Sequence, residues 1–281
     1  MFIGQQAGVT YPDATGLRIF PSPREEKEMR SPPRPEPEPS GVSGRGRLPN
    51  APALVTELGG SYATGLGINL DALDSAEIYK WFIAAVLYGA RIPETIASRS
   101  WHEFETSGVL TPQRMLDTGW DGLVAMLDRG SYVHYDYKTA TKLLEINRTL
   151  LDRYGGNLNT LHAAAVDSVD LEQRIMALGK GIGKVTAGIF LRELRGKWQK
   201  AVPPLSPLAF MAARTLGFIP NRIGDDHDLA LAWLQHLWSK QGMTAASFPD
   251  FEAALVRQGL RLRRRTARRS MRSGAAGLAP A

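Results

Sequence analysis

With 281 residues, of which 43% are hydrophobic, the chain is long enough to bury one large core or two smaller ones. It contains no cysteine, which excludes disulfides, thiol catalysis and cysteine-ligated zinc or iron–sulfur centres. It has neither an apolar run of membrane-spanning length nor a basic-then-apolar secretory signal, so we expect a cytoplasmic protein with no membrane partner.

The formal net charge of +6 originates at the C-terminal end. Eight arginines between residues 257 and 272 contribute +8, with no acidic residue among them, and leave −2 for the rest of the chain. We predict that residues 259–281 form a disordered, arginine-rich tail. Such a tail could bind nucleic acid through counterion release, or it could simply be a solubilising end.

Residues 1–50 carry a segment rich in proline, glutamate and arginine, including the run SPPRPEPEPSG. This composition cannot bury enough apolar surface to order the backbone, so we predict a disordered N-terminal segment.

From residue 51 the apolar residues follow helical spacing, and this pattern continues to residue 258. Asp74 or Ser75 is placed to cap a helix, and Thr111 followed by Pro112 predicts another helix start. A long helix over 137–153 should end at the Gly155-Gly156 pair. No window alternates apolar and polar residues for long enough to predict a strand, so we predict an all-α fold.

The segment 171–194 (LEQRIMALGKGIGKVTAGIFLREL) predicts two helices joined by a glycine-rich turn. The turn leaves the backbone N–H groups of Gly181, Gly183 and Lys184 at a helix start, where no acceptor exists within the helix. Such a terminus favours an anion, commonly a nucleic-acid phosphate, and Lys180 and Lys184 add positive charge.

Two other interpretations apply to a glycine-rich turn of this kind. A phosphate-binding P-loop is excluded, because Val185 follows Lys184 where that motif needs serine or threonine, and a helix precedes the turn. An ordinary glycine-broken turn between two core helices remains open.

Three segments, in this order, resemble the helix-hairpin-helix DNA glycosylase superfamily (HhH-GPD), the group of endonuclease III. Residues 78–101 look like the helix pair that opens the family's six-helix domain. Residues 130–156 are similar to its G-x-Y-N-x-K-A segment and long helix, and residues 176–194 look like its hairpin. The resemblance implies two helical subdomains around a DNA-binding cleft within residues 51–258.

The resemblance also implies a base-excision-repair DNA N-glycosylase that binds double-stranded DNA as a monomer and extrudes the target base into the cleft. We expect no cofactor and no metal, and association with the nucleoid if the protein is bacterial. The residues that the resemblance places on DNA are those of the hairpin: Lys180, Gly181, Ile182, Gly183, Lys184 and Thr186.

The sequence departs from the family at the catalytic positions. Val185 stands where bifunctional members have a lysine nucleophile, and Leu205 stands where the family has its aspartate. The catalytic residues are therefore unknown. A non-catalytic DNA-binding relative remains the alternative to a glycosylase with a divergent active site.

A carboxylate from elsewhere could replace the missing aspartate. The candidates are Glu193 and the acidic run of Asp225, Asp226 and Asp228, although that run is more simply explained as a cap of the next helix. A metal site at this run is a further possibility with little support, because no second group of ligands stands out.

Overall fold

The structure, a computed structural model, describes the backbone of residues 50–276 and the side chains of residues 50–268. The predicted disorder of residues 1–50 therefore falls, apart from Asn50, outside the described residues, as does the end of the chain from residue 277. All described residues belong to one compact unit. The division of 51–258 into two subdomains stays a prediction.

The described residues form helices and no strand, which confirms the all-α prediction. Two short 3₁₀ turns, Asn221–Ile223 and Ala245–Ser247, accompany twelve α-helices in this part of the chain. The α-helices are α1 (Ala51–Leu58), α2 (Tyr62–Gly65), α3 (Ser75–Tyr88), α4 (Glu94–Thr106), α5 (Pro112–Arg129), α6 (Asp136–Tyr154), α7 (Leu158–Ala164), α8 (Ser168–Met176), α9 (Lys184–Glu193), α10 (Pro207–Thr215), α11 (His227–Lys240) and α12 (Phe248–Ala276).

The predicted caps define several of these boundaries. The Asp74 carboxylate accepts hydrogen bonds from the first backbone amides of α3. Thr111 Oγ1 accepts from the amide of Arg114 at 3.2 Å, and Pro112 is the first residue of α5. Gly155 ends α6 in a left-handed conformation with φ 61°, which favours glycine. These sequence predictions are confirmed.

Helix α3 lies at the centre of the core, because almost every residue from Ile78 to Leu87 is buried. Its Trp81 Nε1 donates to the carbonyl oxygen of Phe190 in α9 at 3.0 Å. The rings of Phe82 and Phe190 meet edge to face, with centroids 5.1 Å apart. The second helix of the predicted hairpin is thus joined directly to the central helix.

Residues 259–276, for which the composition predicts disorder, continue helix α12 in the structure. Gly259 is buried against α10, so closely that a Cβ would clash with the carbonyl of Leu208. Leu260 and Leu262 pack against the core, and Arg261 pairs with Glu57 at 3.7 Å. Gly259, Leu260 and Leu262 lie between the arginines and provide packing contacts that a count of charges does not reveal.

A buried ion pair ties the end of α9 to α12. Arg195 Nε donates to Glu252 Oε2 at 3.0 Å, and Arg195 Nη2 donates to the carbonyl of Pro203 at 2.6 Å. Burial raises the pKa of the Glu252 carboxyl, and the neighbouring Arg195 guanidinium opposes this rise. The pair thereby holds the segment that leads into α10.

No helix among residues 50–276 combines the length and the apolar character needed to cross a membrane.

Candidate nucleic-acid interface

The predicted hairpin is present between α8 and α9. The turn begins with Leu178, whose amide donates to the carbonyl of Ile175 at 3.2 Å, and continues with the amide of Ile182 donating to Gly179 at 3.2 Å. Gly181 has φ +87°, in the left-handed region where a side chain would be strained. The glycine therefore allows the chain to reverse between the two helices.

Apolar contacts hold the hairpin against the body of the protein. Leu178 and Ile182 are buried, and Gly179 lies against α6, where a Cβ would come within 2.9 Å of Ile146 Cγ1. The hairpin is thus fixed by its inner residues, and its outer residues Lys180, Gly181 and Gly183 are exposed.

The start of α9 has no side-chain cap. Gly183 occupies the N-cap position, and the first backbone bond of the helix runs from the amide of Ala187 to the carbonyl of Gly183 at 3.0 Å. The amides of Lys184, Val185 and Thr186 therefore have no acceptor within the helix. Together with the helix dipole, they form an electropositive end that favours an anion.

A third lysine, which the sequence analysis missed, lies beside this hairpin. Lys142 of α6 is half-buried, and its Nζ lies 3.5 Å from the position that a Cβ on Gly181 would occupy. Burial lowers the pKa of the Lys142 ammonium. Helical spacing is the sequence feature that could have identified Lys142. This residue lies one turn before Ile146, which faces the hairpin, and one turn after Lys138.

None of these lysines is neutralised in the part of the chain that the structure describes. Lys138, Lys142, Lys180 and Lys184 form no ion pair there. Lys138, Lys180 and Lys184 are exposed. We call these four residues, together with the uncapped start of α9, the basic hairpin surface.

Two of the six predicted DNA-binding residues have buried side chains. Ile182 packs into the core, and the Thr186 side chain lies directly against Gly89 at the end of α3. These side chains support the hairpin from inside, while Lys180, Gly181, Gly183 and Lys184 form its outer surface.

The two positions at which the resemblance expects catalytic groups differ in exposure. Val185, in the first turn of α9, is 68% exposed. Leu205, at the family's aspartate position, is only 1% exposed, and its carbonyl lies 3.0 Å from His227 Nδ1. The next residue, Ser206, caps α10 through its hydroxyl. An aliphatic side chain therefore fills the place where the resemblance expects a carboxylate.

The acidic run before α11 forms a helix cap. Asp226 accepts from the amides of Asp228 and Leu229 at 3.0 and 2.9 Å, and Asp225 pairs with Arg214 at 3.3 Å. The capping interpretation is confirmed. Within the described residues no group of histidines and carboxylates is arranged to hold a metal ion.

Glu193 lies at the far end of α9, about 13 Å along the helix from Lys184. Its buried carboxylate accepts hydrogen bonds from Ser61 Oγ and from the amide of Tyr62. It lines a cleft of about 550 Å³ whose other charged groups include Asp71 and Lys197, which pair with each other at 2.7 Å. The position and bonding of Glu193 suit a structural brace.

The close contact between Gly89 and Thr186 yields a test of how the hairpin is positioned. Gly89 has φ −70°, which any residue can adopt, so only space requires glycine there. We expect Gly89→Ala to lower the free energy of unfolding by about 1–3 kcal/mol, because its Cβ would clash with Thr186 Oγ1. Urea denaturation measures this change.

The matched control is the same glycine substitution in a Thr186→Ala background, which removes the clashing hydroxyl. In that background the added Cβ should lower the free energy of unfolding clearly less than it does in the native chain. An equal cost in both backgrounds would show that this contact does not position α9.

Comparison of the chain with protein-family models, with curated proteins and with solved structures found no match. The resemblance to the helix-hairpin-helix glycosylases therefore rests on the three segments described above.

Proposed function

We propose that this protein binds double-stranded DNA and holds a backbone phosphate at the basic hairpin surface. The observation that supports this most strongly is the uncapped start of α9, beside Lys142, Lys180 and Lys184, which form no ion pair within residues 50–268. Backbone amides and ammonium groups at one place provide both directional and electrostatic contacts to a phosphate.

The exposure of this surface favours a large ligand. Lys180, Gly181, Gly183 and Lys184 are all exposed, so a small anion held there would remain largely in water. A duplex presents many phosphates and gains affinity by releasing counterions at several contacts. A polymer can therefore use a site that would bind an isolated phosphate weakly.

We further propose that the protein is glycosylase-like, with two helical subdomains around the DNA, as the resemblance implies. It then has one of two activities: base excision with a divergent active site, or DNA binding without base release. The burial of Leu205 favours the second, as does the engagement of Glu193 and Asp226 in structural hydrogen bonds.

The salt dependence of DNA affinity tests the phosphate contacts. Replacing Lys180 and Lys184 with glutamine should weaken binding to a blunt duplex and reduce the slope of log K against log salt by about 2, because each lost phosphate contact removes about 0.9. Fluorescence anisotropy of the full chain with labelled duplex measures both quantities. The full chain is required, because cutting at residue 258 would remove Leu260 and Leu262 from the core.

A matched control removes the same charge elsewhere. Arg114 and Arg153 are exposed and form no ion pair among the described residues. They lie near the opposite end of the α5–α6 pair, and Arg153 is about 16 Å along α6 from Lys142. If Arg114→Gln/Arg153→Gln lowers the slope as much as the lysine pair does, the hairpin is not the phosphate site.

A base-release assay separates the two activities. The full chain is incubated with duplexes containing uracil, 8-oxoguanine, alkylated purine or mismatched adenine, and hot alkali then reveals abasic sites. We expect binding without strand cleavage on every duplex. Cleavage above the level of a protein-free control would instead establish base excision, and Asp225→Asn, Asp226→Asn, Asp228→Asn and Glu193→Gln would then show which carboxylate is required.

A further inference from the structure

Two aromatic side chains lie together on the surface where α5 meets α6. Trp120 is 39% exposed and Tyr137 is 60% exposed, and their ring centroids are 5.2 Å apart with an interplanar angle of 43°. An isolated exposed aromatic residue is ordinary, but a contacting pair leaves a combined ring surface open to solvent. We call these two residues the aromatic pair.

Hydrogen bonds fix the orientation of the aromatic pair. Trp120 Nε1 donates to Thr141 Oγ1 at 3.1 Å, and the Thr141 hydroxyl donates to the carbonyl of Tyr137 at 2.9 Å. Gly119, with φ 68°, interrupts the regular helix immediately before Trp120. A ring orientation fixed in the free protein reduces the entropy that a stacking ligand would otherwise lose.

Helix α6 connects the aromatic pair to the basic hairpin surface. Tyr137 and Lys142 are five residues apart, which separates them by about 7–8 Å along the helix axis and by roughly 140° around it, and Lys142 lies against Gly181. Lys138 is exposed between them. One strand of nucleic acid that crosses the exposed face of α6 could therefore place a phosphate at the hairpin and a base at the aromatic pair.

The charge near the aromatic pair favours a base over a phosphate. Asp136 directly precedes Tyr137, and desolvation together with the neighbouring Asp136 raises the pKa of the Asp128 carboxyl. The Asp136 carboxylate beside Tyr137 disfavours a phosphate at the aromatic pair, whereas Lys142, Lys180 and Lys184 attract one at the hairpin. A base presents an uncharged aromatic face, which stacks on tryptophan and tyrosine irrespective of sequence.

We propose that the aromatic pair stacks an unpaired base of the DNA whose phosphate is held at the hairpin. The preferred ligand is then a duplex that continues into a single strand, rather than a blunt duplex. This proposal rests on the proposed DNA binding and adds the class of DNA to it.

The test compares a blunt duplex with the same duplex extended by an overhang of about four nucleotides at either the 3′ or the 5′ end. Anisotropy with the full chain should show about tenfold tighter binding to one overhang, equivalent to about 1.4 kcal/mol. Trp120→Ala and Tyr137→Leu should remove this gain without changing the affinity for the blunt duplex. Trp120→Phe and Tyr137→Phe, which keep an aromatic ring, should retain most of it.

Circular dichroism first confirms that each variant is folded, and Tyr137→Leu carries the comparison if Trp120→Ala does not fold. Equal affinity for blunt and overhanging duplexes, or a gain that survives Trp120→Ala, overturns the stacking proposal while hairpin binding stands. A gain that depends on Trp120 but not on Lys180 and Lys184 supports stacking and overturns the hairpin as the phosphate site. Absence of DNA binding overturns both.

Discussion

The packing of α9 on α3 is the constraint on which the candidate interface depends. The Trp81 indole bonds the Phe190 carbonyl, the Phe82 and Phe190 rings meet, and the Thr186 side chain lies against Gly89. These contacts are buried and distributed along the whole of α9. These contacts fix α9 in one orientation, in which its uncapped first turn faces solvent.

The electrostatics of the hairpin follow from that orientation. An uncapped helix start is an unfavourable place for additional positive charge, because the helix dipole is positive there. Lys142 is also partly desolvated, which further disfavours its charged form. The lysines of the basic hairpin surface have no ion-pair partner in the described structure. Their positive charge therefore remains uncompensated until an anion binds. DNA supplies that anion in the function proposed here.

Features determined by local chemistry could be predicted from the sequence. The caps at Asp74 and Thr111, the stop at Gly155 and the glycine turn before α9 each depend on residues close together in the chain. Asp226 belongs to the same class, because its capping role requires only the two amides that follow it.

Features determined by long-range packing could not be predicted. Lys142 reaches the hairpin only because α6 packs against Gly179, and the sequence gives no distance between them. The order of α12 past residue 259 depends on α10 approaching a buried glycine, which a count of arginines cannot reveal. The resemblance places Leu205 at the family's aspartate position, but the burial of Leu205 depends on the three-dimensional packing around α10.

Hydrogen exchange provides the most direct test of phosphate binding at the hairpin. Mass spectrometry would follow peptides that cover residues 179–187, in which several amides lack an acceptor within α9. Saturating duplex DNA should slow exchange in these peptides and leave those of α7 unchanged. Unchanged exchange over 179–187, with protection confined to the arginine-rich end of α12, would contradict binding at the hairpin and assign the DNA contact to that helix.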